Sequence, residues 1–322
     1  MLRLPRFRYE SPSRLDEAIR LRTEHADRAM YVAGGTDVYP KMKRRQFQPE
    51  LVIGLDRVLD NSISNGTGLR IGARATLTEV AEHPRVRDGY AALSQAAGLV
   101  STPQLRNMGT IGGNICLDTR CNWYDQSLFW RTAEGYCMKT HADVVCRVAT
   151  SSPRCLAVAS ADTVPALIAL GATIRVRGAS GERSLDLAEV YREDGIRYLA
   201  LEAGEVVTEV RLPPSDGWRS TYLKLRDRNA FDFPIAGVAA AVRWDKDVVA
   251  DARVAITALA SRPVAVDARA LVGTKLDDDA IEAVADAVHK AARPMDNTSG
   301  TISQRKRAAR VFAERALRSL RV

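Results

Sequence analysis

Four cysteines, Cys121, Cys137, Cys146 and Cys155, fall within 35 residues of this 322-residue chain, with 15, 8 and 8 residues between them. Only Cys116 lies outside that stretch. A loop with so many thiols can hold a disulfide, a single metal ion or a cluster, or bury its thiols without any of them. It directly follows a glycine-rich segment, Thr110-Ile111-Gly112-Gly113-Asn114. Cysteines beside a phosphate-binding type of turn point to two cofactors close together, and hence to electron transfer.

The compartment bears on which option holds. No apolar run approaches the ~20 residues of a membrane span. The start, Met1-Leu2-Arg3-Leu4-Pro5-Arg6, is basic but lacks the apolar centre of a signal peptide. The expectation is a cytoplasmic protein with no membrane contact, where clustered cysteines serve more often as metal ligands or redox centres than as disulfides. At 46% hydrophobic and 27% charged residues the chain is ordinary for a soluble protein, and it is long enough for two or three domains.

The net charge is +8, but the basic residues are dispersed among acids. The one dense run is Arg305-Lys306-Arg307 with Arg310, Arg315, Arg318 and Arg321, on an expected helix whose apolar side is Val311, Phe312, Leu317 and Leu320. It reads as a solvated cationic face or as a docking surface for an acidic partner. Nucleic acid is excluded as a partner, because no aromatic residues are interleaved as stacking platforms.

Residues 1–57 read as strand, helix, strand, turn, helix and strand. Ser13 with Asp16 resembles a capping box for a helix running to about Thr23. Ala29–Val32 is a short strand entering Ala33-Gly34-Gly35-Thr36, Asp37–Arg44 a helix, and Leu51–Leu55 a buried strand. A second unit begins at Gly68–Gly72, with helices near Leu77–Glu82 and Tyr90–Val100. Asp162–Leu170 reads as an apolar helix, and Ala172–Val176 and Val206–Leu212 as strands. Pro213-Pro214-Ser215-Asp216-Gly217 marks a boundary. Three strands, Thr221–Arg226, Ile235–Trp244 and Val249–Leu259, then precede two helices, Asp277–Ala292 and Ser303–Leu320. Strands followed by helices indicate a separate α+β domain.

Glycine-rich Val32-Ala33-Gly34-Gly35-Thr36-Asp37 lies between strand and helix. Glycines permit positive φ and close backbone approach, and the N–H groups there form an anion site suited to a pyrophosphate. The alternative is a tight turn without ligand. With Thr110–Asn114 as a second such segment, the pair fits a long dinucleotide held from two sides, although no G-x-G-x-x-G motif occurs.

For the cysteines, a structural zinc site and a 4Fe–4S cluster both need four thiolates, and buried cysteines without a metal are the third reading. Zinc sites usually pair their cysteines as C-x₂₋₄-C, and no such pair occurs. Trp123, Tyr124, Phe129, Trp130 and Tyr136 are five of the chain's 19 aromatics within 14 residues, able to shield a cluster from water or simply to pack the loop. His141 is expected not to ligate, since four cysteines complete a site.

Val32–Asp37, Thr110–Asn114 and Asp162-Thr163-Val164-Pro165-Ala166-Leu167 resemble the FAD-binding medium subunit of molybdenum hydroxylases, the family of carbon monoxide dehydrogenase and xanthine dehydrogenase. The resemblance spans essentially the whole chain, with Tyr222-Leu223-Lys224-Leu225-Arg226 and Phe233-Pro234-Ile235-Ala236-Gly237-Val238 matching the C-terminal domain. The cysteine-bearing insertion at about 117–160, with Cys116–Cys121 and Glu134–Cys137 the closest matches, resembles the flavin subunit of 4-hydroxybenzoyl-CoA reductase, where it binds a 4Fe–4S cluster.

The resemblance implies an α+β fold: a two-lobed FAD-binding domain (1–57 and 58–216) followed by a smaller α+β domain of three strands and helices (217–322). It implies FAD contacts from Tyr31, Val32, Ala33, Gly34, Gly35, Thr36, Asp37 and Val38, from Val100 and Ser101, from Thr110, Ile111, Gly112, Gly113 and Asn114, and from Asp162 and Lys224. On residues alone, Asp162 reads as an N-cap and Lys224 as an exposed strand lysine. It further implies cluster ligation by Cys121, Cys137, Cys146 and Cys155, with Cys116 packed near the flavin. Tyr39 and Lys43 receive no role.

The implied partners are a large subunit with molybdopterin and the substrate pocket, a small subunit with two 2Fe–2S clusters, and a ferredoxin, in a dimer of heterotrimers. Electrons would run from ferredoxin through 4Fe–4S and FAD to 2Fe–2S and molybdenum, removing a phenolic hydroxyl reductively in aromatic degradation. The alternatives are the medium subunit of an oxidative hydroxylase or dehydrogenase and, more weakly, a zinc-stabilised assembly module.

Overall fold

The computed structural model describes residues 2–322, whose strands form three sheets. The first is parallel, with β1 (Arg8–Glu10), β2 (Ala29–Val32) and β3 (Leu51–Gly54) in the order β1-β3-β2. Central β3 is buried throughout. Leu51 and Ile53 join the main core, and Val52 packs with Val32 and Met42 on the other face. That explains its unbroken apolar sequence. The helix Leu15–His25 starts after Arg14, which makes no side-chain capping bond. The expected capping box of Ser13 and Asp16 does not form, because the later start puts Asp16 at the second helical position rather than the third. Its carboxylate reaches Arg177 Nη2 instead, at 2.8 Å.

The second sheet is antiparallel, with β4 (Ile63–Asn65), β5 (Leu69–Gly72), β6 (Thr173–Gly178), β7 (Gly181–Asp186) and β8 (Val206–Leu212) in the order β4-β5-β8-β6-β7. Edge strands β4 and β7 were not expected from sequence. β7, Gly-Glu-Arg-Ser-Leu-Asp, is almost wholly exposed and carries no apolar period. Between β5 and β6 the chain runs through short helices, among them Leu77–Glu82, Ala91–Gly98, Ile111–Ile115, Leu128–Ala133 and Thr163–Ala169. The second glycine segment is therefore a helix, not a turn. Thr110 caps it, its Oγ1 accepting from Gly113 N at 3.1 Å. Gly112 is required because a Cβ there would lie 2.9 Å from the Ala73 carbonyl oxygen.

The third sheet is antiparallel with four strands rather than the expected three: β9 (Trp218–Leu225), β10 (Ala236–Asp245), β11 (Val248–Thr257) and β12 (Val264–Val266), in the order β12-β11-β10-β9. Three residues of β12 are too few to show a period. β10 is buried on both faces, and its alternation separates two cores. Ala236, Val238, Ala240 and Val242 meet the helices Asp278–Ala291 and Ile302–Ser319, while Ala239 and Ala241 join the core of the preceding residues. Small residues on that second face let the sheet lie close against the helices Ala91–Gly98 and Thr163–Ala169.

The C-terminal basic run is not one cationic face. Arg305 is fully buried and donates to the carbonyls of Met295 at 2.7 Å and Ile235 at 3.2 Å. Arg310 pairs with Glu282, Asp286 and Glu314, and Arg318 and Arg321 both reach Asp278. Among the described residues no helix is long and apolar enough to cross a membrane.

Candidate functional site

One large cavity, about 1080 Å³, is lined by most of the residues expected to touch a flavin. From the first glycine segment come Tyr31, Ala33, Gly34, Gly35, Thr36, Asp37 and Val38. Val100, Ser101, Thr110, Gly112, Gly113, Asn114 and Asp162 line it as well. Three expected residues do not. Val32 points into the small core with Met42 and Val52, Ile111 is fully buried in the main core, and Lys224 stands behind Asp162.

The glycines of the first segment have separate reasons. A Cβ on Gly34 would fall 1.9 Å from the Met108 carbonyl oxygen, so glycine lets the two cavity walls touch. Gly35 has φ +70° and abuts the ring of Tyr39, where a Cβ would lie 2.5 Å away. Tyr39 thus gains a packing role. Among the described residues the backbone N–H groups of Gly34, Gly35 and Thr36 have no hydrogen-bond partner. Free donors on a cavity wall suit an anionic ligand such as a pyrophosphate.

The second glycine segment works differently. The N–H groups of Ile111, Gly112, Gly113 and Asn114 are all satisfied, by Ala75, Ala73, the Thr110 hydroxyl and the Thr110 carbonyl. It offers a side chain instead of an N–H cradle. Asn114 Oδ1 accepts from Thr163 Oγ1 at 2.6 Å, which leaves its amide nitrogen at the cavity wall.

Asp162 heads the helix Thr163–Ala169 but does not cap it with its side chain. Its oxygens accept from Tyr222 OH at 2.7 Å and Lys224 Nζ at 2.9 Å. Lys224 is buried, not exposed, and also donates to the Leu99 carbonyl at 3.0 Å. Burial raises the Asp162 carboxyl and lowers the Lys224 ammonium, and their pairing opposes both shifts.

Two further wall segments were not among the expected flavin contacts. Arg197, Tyr198, Leu199 and Leu201 belong to an irregular stretch before β8. Tyr31 OH donates to the carbonyl of Gly204 at 2.9 Å and ties that stretch to β2. Phe231, Asp232 and Phe233 form a loop across the cavity, where Phe231 has φ +73° and donates its N–H to the Ser101 carbonyl at 2.9 Å.

All four expected ligands, Cys121, Cys137, Cys146 and Cys155, line a second, small cavity. Cys116 lies on the large cavity instead, and burial lifts its thiol to about 12. Burial also pushes Cys121 to about 12 and Cys155 to about 11. Among the described residues no three His, Cys, Asp or Glu side chains are gathered tightly enough to hold a metal ion as they stand. A single zinc ion would draw its thiolates to about 2.3 Å. Four thiols on one cavity match the number of donors that either a zinc ion or a 4Fe–4S cluster takes. The expected aromatic shield shrinks to Trp123 and Tyr124. Trp130 tilts against Trp123 at 5.8 Å, Phe129 is 86% exposed, and Tyr136 stacks on His141 at 3.7 Å, away from the cavity.

The insertion joins the two cavities. Leu117, Asp118 and Arg120 line the large cavity, and Arg120 pairs with Asp37 and lies 4.0 Å from the ring centre of Phe233. Asp118 binds Lys139 Nζ at 2.6 Å, and Lys139 lines the cysteine cavity. Gly195 passes so near that a Cβ would lie 2.8 Å from Cys155 Sγ, while the next residue, Ile196, faces the flavin side.

These domains and this cavity define a flavoprotein of the two-domain FAD-binding class. The carbon monoxide dehydrogenase from Hydrogenophaga pseudoflava that lacks the Mo-pyranopterin moiety of its cofactor has a chain that superposes with a TM-score of 0.80 at 26% identity, over 98% of this chain and 97% of that one. Residues 5–215 match the FAD binding domain in molybdopterin dehydrogenase, and residues 220–320 the CO dehydrogenase flavoprotein C-terminal domain. The chain belongs to that family, the FAD-binding medium subunits of the xanthine oxidase and CO dehydrogenase type. It is 32% identical to the aldehyde oxidoreductase FAD-binding subunit PaoB of Escherichia coli strain K12, over 96% of this chain and 98% of that one. It is 29% identical to the carbon monoxide dehydrogenase medium chain of H. pseudoflava, over 97% and 96%.

Proposed function

We propose that this chain is the electron-transfer subunit of an oxidative molybdenum dehydrogenase, binding FAD in the large cavity and a 4Fe–4S cluster on Cys121, Cys137, Cys146 and Cys155. The observation that carries the reading is the adjacency of the two cavities, joined by the Asp118–Lys139 contact. The relatives' names, an aldehyde oxidoreductase and a carbon monoxide dehydrogenase, favour oxidation over the reductive chemistry of 4-hydroxybenzoyl-CoA reductase.

Bound FAD supplies the ability to exchange electrons singly or in pairs. The chain's own residues hold and orient it. The free N–H groups of Gly34, Gly35 and Thr36 would hold its pyrophosphate and the Asn114 amide could donate to it, while Asp162 stays fixed by Lys224 and Tyr222. The substrate pocket belongs to a molybdopterin-bearing large subunit, and a small subunit with two 2Fe–2S clusters lies between. Lobes 1–57 and 58–216 hold the flavin, each with its own sheet, and 217–322 closes the cavity through Phe231–Phe233.

The reductive reading, with ferredoxin as donor and a dimer of heterotrimers as the assembly, rests on the cysteine insertion alone. The purified complex decides. One FAD, about four irons and matching acid-labile sulfide per chain, with reduction by an aldehyde-type substrate, supports the oxidative reading. Turnover only with 4-hydroxybenzoyl-CoA and reduced ferredoxin supports the other. Zinc in place of iron overturns the cluster in both.

A further inference from the structure

Between the two cavities lies a buried charge network to which flavin binding assigns no role. Asp118 accepts from Lys139 Nζ at 2.6 Å, from Lys41 Nζ and from Tyr124 OH at 3.1 Å. The Lys139 ammonium also donates to Thr119 Oγ1 and to the Gly195 carbonyl at 2.5 Å, so all three of its protons are used and its position is fixed. No side chain of this trio is more than 7% exposed.

The charges do not balance. Lys41, Lys139, Arg120, Arg44 and Arg131 stand against Asp118, Asp37 and Asp125, five cations to three carboxylates. Arg131 is buried and spends its guanidinium on the carbonyls of Gln126, Arg44 and Arg45. Among the described residues, Lys139 and Arg147 line the cysteine cavity and no carboxylate does. Asp118 is shared by two buried ammonium groups, so this trio keeps one positive charge in excess, and excess buried charge is unfavourable. Four thiolates around an iron–sulfur cubane supply net negative charge there, and reduction adds one electron more.

We propose that Lys139, held in place by Asp118, is the counter-cation of the four-cysteine site and sets the reduction potential of the group bound there. This rests on the cluster reading above. The ammonium lies 4.7 Å from the ring centre of Tyr124, on the cysteine cavity, and 5.5 Å from that of Tyr198, on the flavin cavity. It thus stands between an aromatic ring of one cavity and an aromatic ring of the other. Reduction of the cluster places one electron next to this fixed charge, with no bond made or broken and no proton moved. The reduced form is stabilised and the potential raised.

The test compares Lys139→Gln and Lys139→Arg in the full-length chain within its complex, by iron and sulfide content and by redox titration followed by EPR. Iron in the wild type reports on the cluster reading alone. With iron retained, Lys139→Gln is expected to shift the oxidised-to-reduced ratio about tenfold at a fixed poise, a potential about 59 mV more negative for one electron. Lys139→Arg is expected to stay near the wild type. If Lys139→Gln loses iron that Lys139→Arg retains, the charge is needed to hold the anionic cluster, and the proposal stands. An iron-loaded Lys139→Gln at the wild-type potential overturns it. So does loss of iron in both variants, because the side chain then acts by shape rather than charge.

Discussion

Lys224 Nζ lies 2.9 Å from Asp162 Oδ2, with the side chains only 1% and 3% exposed. The pair joins β9 of the C-terminal sheet to the head of the helix Thr163–Ala169, where Asp162 lines the large cavity. Two residues that the sequence marked as separate flavin contacts are in fact bound to each other. Only Asp162 reaches the cavity wall.

Replacing Lys224 by Met strands a buried carboxylate. Removing one partner of such a pair costs about 3–5 kcal/mol. Lys224→Met is expected to lower the melting temperature sharply, and the double variant Lys224→Met/Asp162→Leu to recover part of the loss. Flavin content should not recover in the double variant, because Asp162 itself faces the cavity. Equal flavin in the wild type and the double variant would remove Asp162 from the binding site.

Gly34 and Gly66 make a matched comparison. A Cβ at Gly34 meets the Met108 backbone at 1.9 Å, whereas at Gly66 it meets nothing within 4 Å. Gly34→Ala is expected to destabilise by about 1–3 kcal/mol through overpacking and to reduce bound FAD, while Gly66→Ala leaves both unchanged. Gly113→Val should loosen the Thr110 cap, whose oxygen would lie 3.0 Å from the new Cβ. Thermal melts with flavin absorbance read all three.

Asp118 provides a pH dependence. Burial alone would raise its carboxyl, but Lys139 and Lys41 outweigh that and bring it from 3.8 down to about 2. A carboxyl depressed on folding stabilises the fold above its unfolded value and loses that contribution as the pH falls through the folded one. On the order of 2 kcal/mol should vanish between about pH 4 and pH 2. Urea unfolding at pH 5, 4, 3 and 2 should show that loss in the wild type and a flatter profile in Asp118→Asn. Parallel profiles would mean that Asp118 does not carry it.

Cysteine substitutions separate the two thiol environments. Cys137→Ser is expected to abolish or degrade the cluster signal, because its thiol lines the common cavity. Cys116→Ser, on the flavin cavity, is expected to keep full iron. Iron retained in Cys137→Ser and lost in Cys116→Ser would reverse the ligand set.

The sequence alone carried the main strands and helices. β3 falls within its unbroken apolar run, because a strand buried on both faces must be apolar throughout. Both glycine segments were visible too, since glycine has few other reasons to cluster between periodic elements. The edge strands β4, β7 and β12 were not visible, because pairing with a neighbour holds them and they bury little. Composition likewise hid the fate of charges. Lys224 and Arg305 read as surface residues, and only folding showed that each is buried with a partner, Asp162 and Ile235, tens of residues away. The same holds for Asp118 and Lys139, 21 residues apart in sequence, which meet between the two cavities. Local spacing fixes which face of an element a side chain occupies. Which charges end up buried together depends on the long-range packing of those faces, and no window of sequence contains it.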